Sequence, residues 1–282
     1  YRTKGRGGES SLTAGTNLPN GVIVHYYLKK FDSKKDKVEL QFKSDDGELI
    51  KTYSSEDKKN KLNVKEGGNS FVWDTRHDGA EKLKEMIFWS ASFSGAKSVP
   101  GSYSVSLLIN GEEKVQKFDI LADPRSESSI EDMQKQFDFV NEVNQTVDHA
   151  HKAIKKIRNI TTKLTDFVKQ NETDSTATKL VDQAKEIKEN LINVEKTLYQ
   201  TQNRSNQDPL NFPIRLTNKL GHINRLITMD DFPPTNQDLE VKEVLTLKVE
   251  KAMEIYNKLI ENDVAAFNTN FKNEKRNYLN IE

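Results

Sequence analysis

The chain has 282 residues, with 43 Lys+Arg against 43 Asp+Glu, so its formal net charge is zero. That balance excludes a general electrostatic affinity for nucleic acid or an anionic membrane surface. Cysteine is absent, which excludes disulfides and thiolate metal sites without fixing the compartment, and no apolar run approaches the about 20 residues of a membrane-spanning helix. Charged residues make up 30% and hydrophobic ones 34%, a lean mixture that suits two-faced helices with solvated outer faces. The chain is long enough for two domains, each with its own core. It begins with Tyr1 rather than Met, which reads as a fragment or a processed product.

Residues 1–17 are rich in Gly, Ser and Thr and read as a linker or extended arm. Gly5, Gly7 and Gly8 lack the Gly-Lys-Ser/Thr continuation of a phosphate loop. From Val22 the apolar residues alternate, with Val22, Val24, Tyr26 and Leu28 on one face. Val38–Phe42 alternates as well; Asp45-Asp46-Gly47 is a turn, and Glu48–Tyr53 returns as its partner. Phe71-Val72-Trp73-Asp74 reads as a further strand after Gly67-Gly68. Ser102–Ile109 and Lys114–Leu121 flank Asn110-Gly111, the strongest hairpin signal in the chain. Six or seven short strands in residues 18–123 predict an immunoglobulin-like antiparallel β-sandwich, with Trp73 in its core.

One stretch of the β module does not alternate. Met86, Ile87, Phe88, Trp89 and Phe93 crowd between strands. They pack over the sandwich edge or against helices, or they present aromatics to a partner or a sugar. If the region binds a partner, Phe88, Trp89 and Phe93 are the expected contact residues.

The hydrophobic period changes at Ala122-Asp123-Pro124-Arg125. Ser128 or Ser129 is a credible N-cap, with Glu131 and Asp132 in the first turn. Apolar residues then recur every three or four positions from Ile130 to Phe167. Asn171–Thr176 breaks the run, and Leu180 to Leu198 form a heptad-like seam. After a loop with two prolines at Asn203–Pro213 comes a shorter helix over Ile214–Ile227. Asp231–Thr235 ends it, and a last long helix carries Val241 to Val264. The short connections predict an up-down antiparallel three- or four-helix bundle over residues 126–270, with 271–282 as a tail.

No reactive constellation stands out. His149 and His151 are two apart, so on a helix they diverge; they read as solvated residues and not as metal ligands. No metal and no cofactor is expected. Asp74, Arg76, His77 and Asp78 form the densest polar cluster, and Asp74 with Asp78 could do carboxylate chemistry on a glycoside. A turn carboxylate accepting backbone hydrogen bonds is the simpler reading of Asp74. The sequons at Asn144, Asn159, Asn171 and Asn203 read as chance in an Asn-rich chain.

Asn17–Leu28, Asn69–Arg76, Val99–Val105 and Leu121–Arg125, followed by the helices, resemble the C-terminal region of secreted bacterial sortilin-like or Asp-box (BNR) repeat β-propeller proteins, often labelled glycosyl hydrolases. The sandwich part also resembles the immunoglobulin-like domain of flagellar hook-capping proteins. Leu18 stands where that family commonly has a second Pro, and the Asp-box repeats themselves are absent here. The resemblance implies an extracytoplasmic location, in the periplasm, at the cell surface or secreted. It also implies a non-catalytic accessory region that docks on an N-terminal β-propeller of the same protein, or binds a protein or glycan; charge balance and the lack of a long apolar run add the expectation of no nucleic acid and no membrane span. Two alternatives remain open: a glycoside hydrolase fragment using Asp74 and Asp78, and a carbohydrate-binding module.

Overall fold

A computed structural model describes residues 18–274; the expected arm at 1–17 and residues 275–282 of the expected tail lie outside them. Six antiparallel strands come first and helices follow. The chain groups into two compact units. One holds the residues through Asp78 together with Lys97–Ser126; the other holds Gly79–Ala96 and the residues from Glu127 onward. Chain order puts Gly79–Ala96 among the strands, but in space this segment groups with the helices.

In the β unit, β1 (Val22–Leu28) pairs with β4 (Gly67–Trp73), while β3 (Leu49–Ser54), β2 (Val38–Ser44), β5 (Gly101–Ile109) and β6 (Glu112–Ile120) form a second antiparallel sheet in that order. The β4 strand starts at Gly67 and pairs it with Leu28, so the two glycines expected to precede the strand lie within it. Asn110 and Gly111 both have positive φ, 51° and 92°, as a two-residue turn of type I′ requires. Side chains alternate in and out because the strand period is two. Val38, Leu40 and Phe42 of β2 are therefore fully buried, and residues from both sheets share one core. Trp73 of β4 anchors that core. Its ring stacks on Phe42 of the other sheet at 4.3 Å between centroids, and its indole N–H donates to the Arg76 carbonyl at 3.3 Å.

The helical unit opens with α1 (Ile130–Asn171), 42 residues and about 63 Å long at about 1.5 Å per residue. Ser129 caps it reciprocally: its hydroxyl accepts from the Asp132 N–H at 3.1 Å, and its own N–H donates to the Asp132 carboxylate at 3.2 Å. The helix ends where Asp174 caps a short turn by accepting from the Thr176 N–H. Then come α2 (Thr178–Leu198), α3 (Leu216–Ile227) and α4 (Asn236–Lys258); a π turn over Leu259–Val264 joins α4 to α5 (Ala265–Asn273). Residue 271, placed in the expected tail, is therefore still helical. Thr235 and Asp238 cap α4 as Ser129 and Asp132 cap α1. Leu216, Leu220, Ile223 and Ile227 of α3, among others, join the stripes of α1, α2 and α4 in a single core, and Phe167, Phe267 and Phe271 close one end of it with edge-to-face contacts. No helix among the described residues is long and apolar enough to cross a membrane.

Replacing Trp73 with Ala removes the largest fully buried side chain of the β unit. A loss of about 3–5 kcal/mol is expected, read by urea unfolding followed in the near-ultraviolet. A loss below about 1 kcal/mol would contradict this placement of the core.

Candidate functional site

The segment Gly79–Ala96 contains no regular helix or strand, yet most of it is buried or half-buried in the helical unit. Buried backbone groups must find hydrogen-bond partners, and here the helices supply them from their side chains. The Asn218 carboxamide of α3 clamps Trp89 at both ends, accepting from its N–H and donating to its carbonyl, each at 2.8 Å. The Ile87 N–H donates to the Tyr199 hydroxyl at 2.9 Å, and the Glu81 N–H to Asp148 at 3.0 Å. Asn144 donates to the Ser94 carbonyl at 2.9 Å, and the Ser92 N–H to the Gly221 carbonyl at 2.8 Å. His222 and His151 each place Nδ1 against a carbonyl of the segment, Ser90 at 2.9 Å and Glu81 at 2.5 Å. Since a carbonyl only accepts, both rings carry their proton on Nδ1. The segment thus lies along the helices as a strap.

Two glycines make the close approach possible. A Cβ on Gly221 would sit 2.5 Å from the Phe93 ring and 2.9 Å from the Ala91 methyl. A Cβ on Gly79 would sit 2.0 Å from the Phe93 carbonyl and 2.7 Å from the Gly95 nitrogen, so the two ends of the strap lie together.

The three aromatic residues singled out in the sequence have different surroundings. Phe88 and Phe93 are half-buried and meet edge to face at 4.6 Å. They pack on the helical core, with His151 5.6 Å from Phe88 and 5.4 Å from Phe93, and Tyr199 5.6 Å from Phe88. Trp89, between them in sequence, remains 40% exposed. Met86 is buried in the helical core beside them.

The two histidines of α1 also part company. His149 is exposed, as expected, whereas His151 is fully buried at 0% exposure, which corrects its reading as a solvated residue. Its Nε2 is buried with no hydrogen-bond partner. Burial holds its pKa below the ordinary imidazole value, against the opposing pull of the Glu81 carbonyl and of the Asp148 and Glu81 carboxylates. Asn144 and Asn203, two of the sequon asparagines, are buried and hydrogen-bonded.

The polar cluster of the β unit follows β4. Asp74 accepts from the Arg76 N–H at 3.1 Å, a turn hydrogen bond. The Ser98 N–H closes on the Thr75 carbonyl at 2.6 Å, and Asp78 lies 3.6 Å from the Lys51 ammonium. Burial, with help from Asp74 and Asp78, pushes the Tyr53 hydroxyl up to about 12, and burial lowers His77. Among the described residues, no group of three or more His, Asp or Glu could hold a metal ion.

A cavity of 820 Å³ opens elsewhere on the β unit, lined by Tyr26, Tyr27, Asn63, Lys65, Asn69 and Ser70 among others. Tyr27 is 73% exposed there. Its cross-strand partner is Gly68, which leaves open space beside the ring.

Two substitutions probe the strap. Gly221→Ala forces the Phe93 ring aside and should cost about 1–3 kcal/mol. Asn218→Ala strands the N–H and the carbonyl of Trp89, with a similar loss for each buried group left unpaired, about 1–3 kcal/mol. Both losses should appear in the helical melt at 222 nm; melts matching the parent protein would contradict the packing. No protein-family model matches this chain, and neither the comparison with curated proteins nor that with solved structures finds a match.

Proposed function

We propose that this chain is a non-catalytic accessory region of a larger extracytoplasmic protein: an immunoglobulin-like sandwich followed by an up-down antiparallel helical bundle, docking on an N-terminal β-propeller or binding a protein or glycan. The observation that carries the reading is Trp89. Its backbone is clamped at both ends by Asn218 while its indole stays 40% exposed. An aromatic side chain on a fixed backbone loses little freedom on binding, which is the economy found at interface anchors. Phe88 and Phe93, on either side of it in sequence, pack on the helical core and help fix the segment that carries it. The non-catalytic part of the reading is supported by the engagement of Asp74 in a turn hydrogen bond and by the proximity of Asp78 to Lys51.

A carbohydrate-binding role has its own support. Ligand sites combine an apolar or aromatic wall with a few placed polar groups, and the cavity beside Tyr27 offers tyrosine rings with Asn63, Lys65 and Ser70.

Trp89→Ala should weaken capture of the propeller by tenfold or more, on the order of the 1.4 kcal/mol or more that an interface anchor contributes, with an unchanged melting temperature. Tyr27→Ala should instead abolish retention on a glycan array if the sugar reading holds. A Trp89→Ala protein that melts much lower yet binds normally would reduce the indole to a packing role. Glycoside turnover by the intact protein that disappears in the Asp74→Asn, Asp78→Asn double variant would overturn the non-catalytic reading.

A further inference from the structure

His151 occupies a position that burial alone does not explain. It stands on α1 under the strap and against both the Phe88 and Phe93 rings, 5.6 and 5.4 Å away, and it is fully enclosed. Nδ1–H donates to the Glu81 carbonyl, and Nε2 has no partner. The neutral ring therefore uses one nitrogen to hold the strap and keeps an idle lone pair on the other. A proton added to Nε2 has no acceptor there, and the charge it brings is shut away from water. An uncompensated buried charge costs several kcal/mol, and the ring escapes that cost by reaching water.

We propose that His151 is a proton-sensitive latch: protonation of its ring releases the Gly79–Ala96 strap from the helices while the helices themselves stay folded. The inference goes beyond the accessory role and does not depend on any partner.

The charged groups around the ring do not cancel the effect. On its own helix, Asp148 favours the imidazolium and Arg158 opposes it. Asp148 already accepts from the Glu81 N–H and pairs with Lys152 at 2.6 Å. Arg158 is committed to Glu195 of α2 at 2.8 Å. From the strap, the Glu81 carboxylate pairs with Lys155 at 3.2 Å, and Lys82 lies over Phe88 at 5.8 Å. Just past α2, Tyr199 offers a hydroxyl that already accepts from Ile87. Against these, burial is the largest influence on His151 and it favours the neutral ring. The closed state thus binds the proton more weakly than the open state. Linkage then requires that the closed state be favoured above the ordinary imidazole pKa of about 6.5 and lose ground as pH falls below it. The opening equilibrium should rise about tenfold for each pH unit below about 6.5, until the pKa of the closed form is reached. His222 also touches the strap through Nδ1 at the Ser90 carbonyl, but of the two rings only His151 has a buried Nε2 without a partner.

The test is amide hydrogen exchange on the full chain from about pH 7.5 to about pH 5.5, above the ordinary carboxylate range of about 4. Protection factors, corrected for the intrinsic pH dependence of exchange, are compared between strap amides (Ile87, Trp89, Ser92) and mid-helix amides of α1. The strap amides should lose about tenfold protection at the acid end, with α1 unchanged. In His151→Gln, which can still donate to Glu81 but does not titrate, strap protection should be flat with pH. Constant strap protection in the parent protein, an equal slope in His151→Gln, or a uniform loss along α1 would overturn the latch. If His151→Gln does not fold, imidazole ¹⁵N shifts of the parent protein decide: Nε2 protonation should coincide with loss of strap protection, and protonation with the strap still protected would overturn it.

Discussion

A buried stretch of chain without helix or strand must satisfy its backbone polar groups one at a time, and the helical unit depends on how this is done for Gly79–Ala96. Each partner is a side chain or carbonyl that the helices must place to within hydrogen-bond distance: Asn218 for Trp89, Tyr199 for Ile87, Asp148 and His151 for Glu81, Asn144 for Ser94. That demand puts polar residues into stripes that would otherwise be wholly apolar. Asn144 sits beside Val143 and Val147, and His151 beside Ala150 and Ile154, all buried. Their value lies in position more than in net energy, since a typical satisfied hydrogen bond contributes only about 1 kcal/mol while an unsatisfied buried group costs about 1–3 kcal/mol.

The same demand shapes the surface. With its backbone tied, the strap turns Met86, Phe88 and Phe93 toward the helical core and leaves Trp89 partly exposed. Positive φ at Glu85 and Ser90, 77° and 50°, marks the places where the chain bends to do so, at a cost of about 1–3 kcal/mol each for non-glycine residues. Folding thus produces an aromatic side chain on a braced segment, and the proposed docking role draws on that property.

Much of the architecture was legible in the sequence because its signals are local. Asn110-Gly111 specified a hairpin through its φ preferences, Ser128 or Ser129 followed by Glu131 and Asp132 marked the start of α1, which the structure caps at Ser129, and alternation placed Val38, Leu40 and Phe42 inside. The start of β4 is hidden in the sequence because Gly67-Gly68 looks like a turn, whereas its pairing with Tyr27 and Leu28 is set by the partner strand. The destination of the strap was not legible: an aromatic cluster signals burial but not the surface that buries it. His151 looks solvated in the sequence because a polar residue between apolar helix positions resembles a boundary residue until its partner, here Glu81, is known. Gly221 carried a usable hint, since glycine in a helix interior is disfavoured by about 1 kcal/mol relative to Ala and marks a close approach; Asn218 one turn earlier carried another.

The seating of the strap on α1 and α3 can be observed directly by isotope-edited nuclear Overhauser spectroscopy with labelled Phe, Gly and His. Cross-peaks from the Phe93 ring to the Gly221 α-protons and to the His151 ring are expected, given Phe93 ring atoms 2.5 Å from where a Cβ of Gly221 would stand and ring centroids 5.4 Å apart. A Phe93 ring that shows neither cross-peak while α1 and α3 remain helical would contradict the strap and everything derived from it.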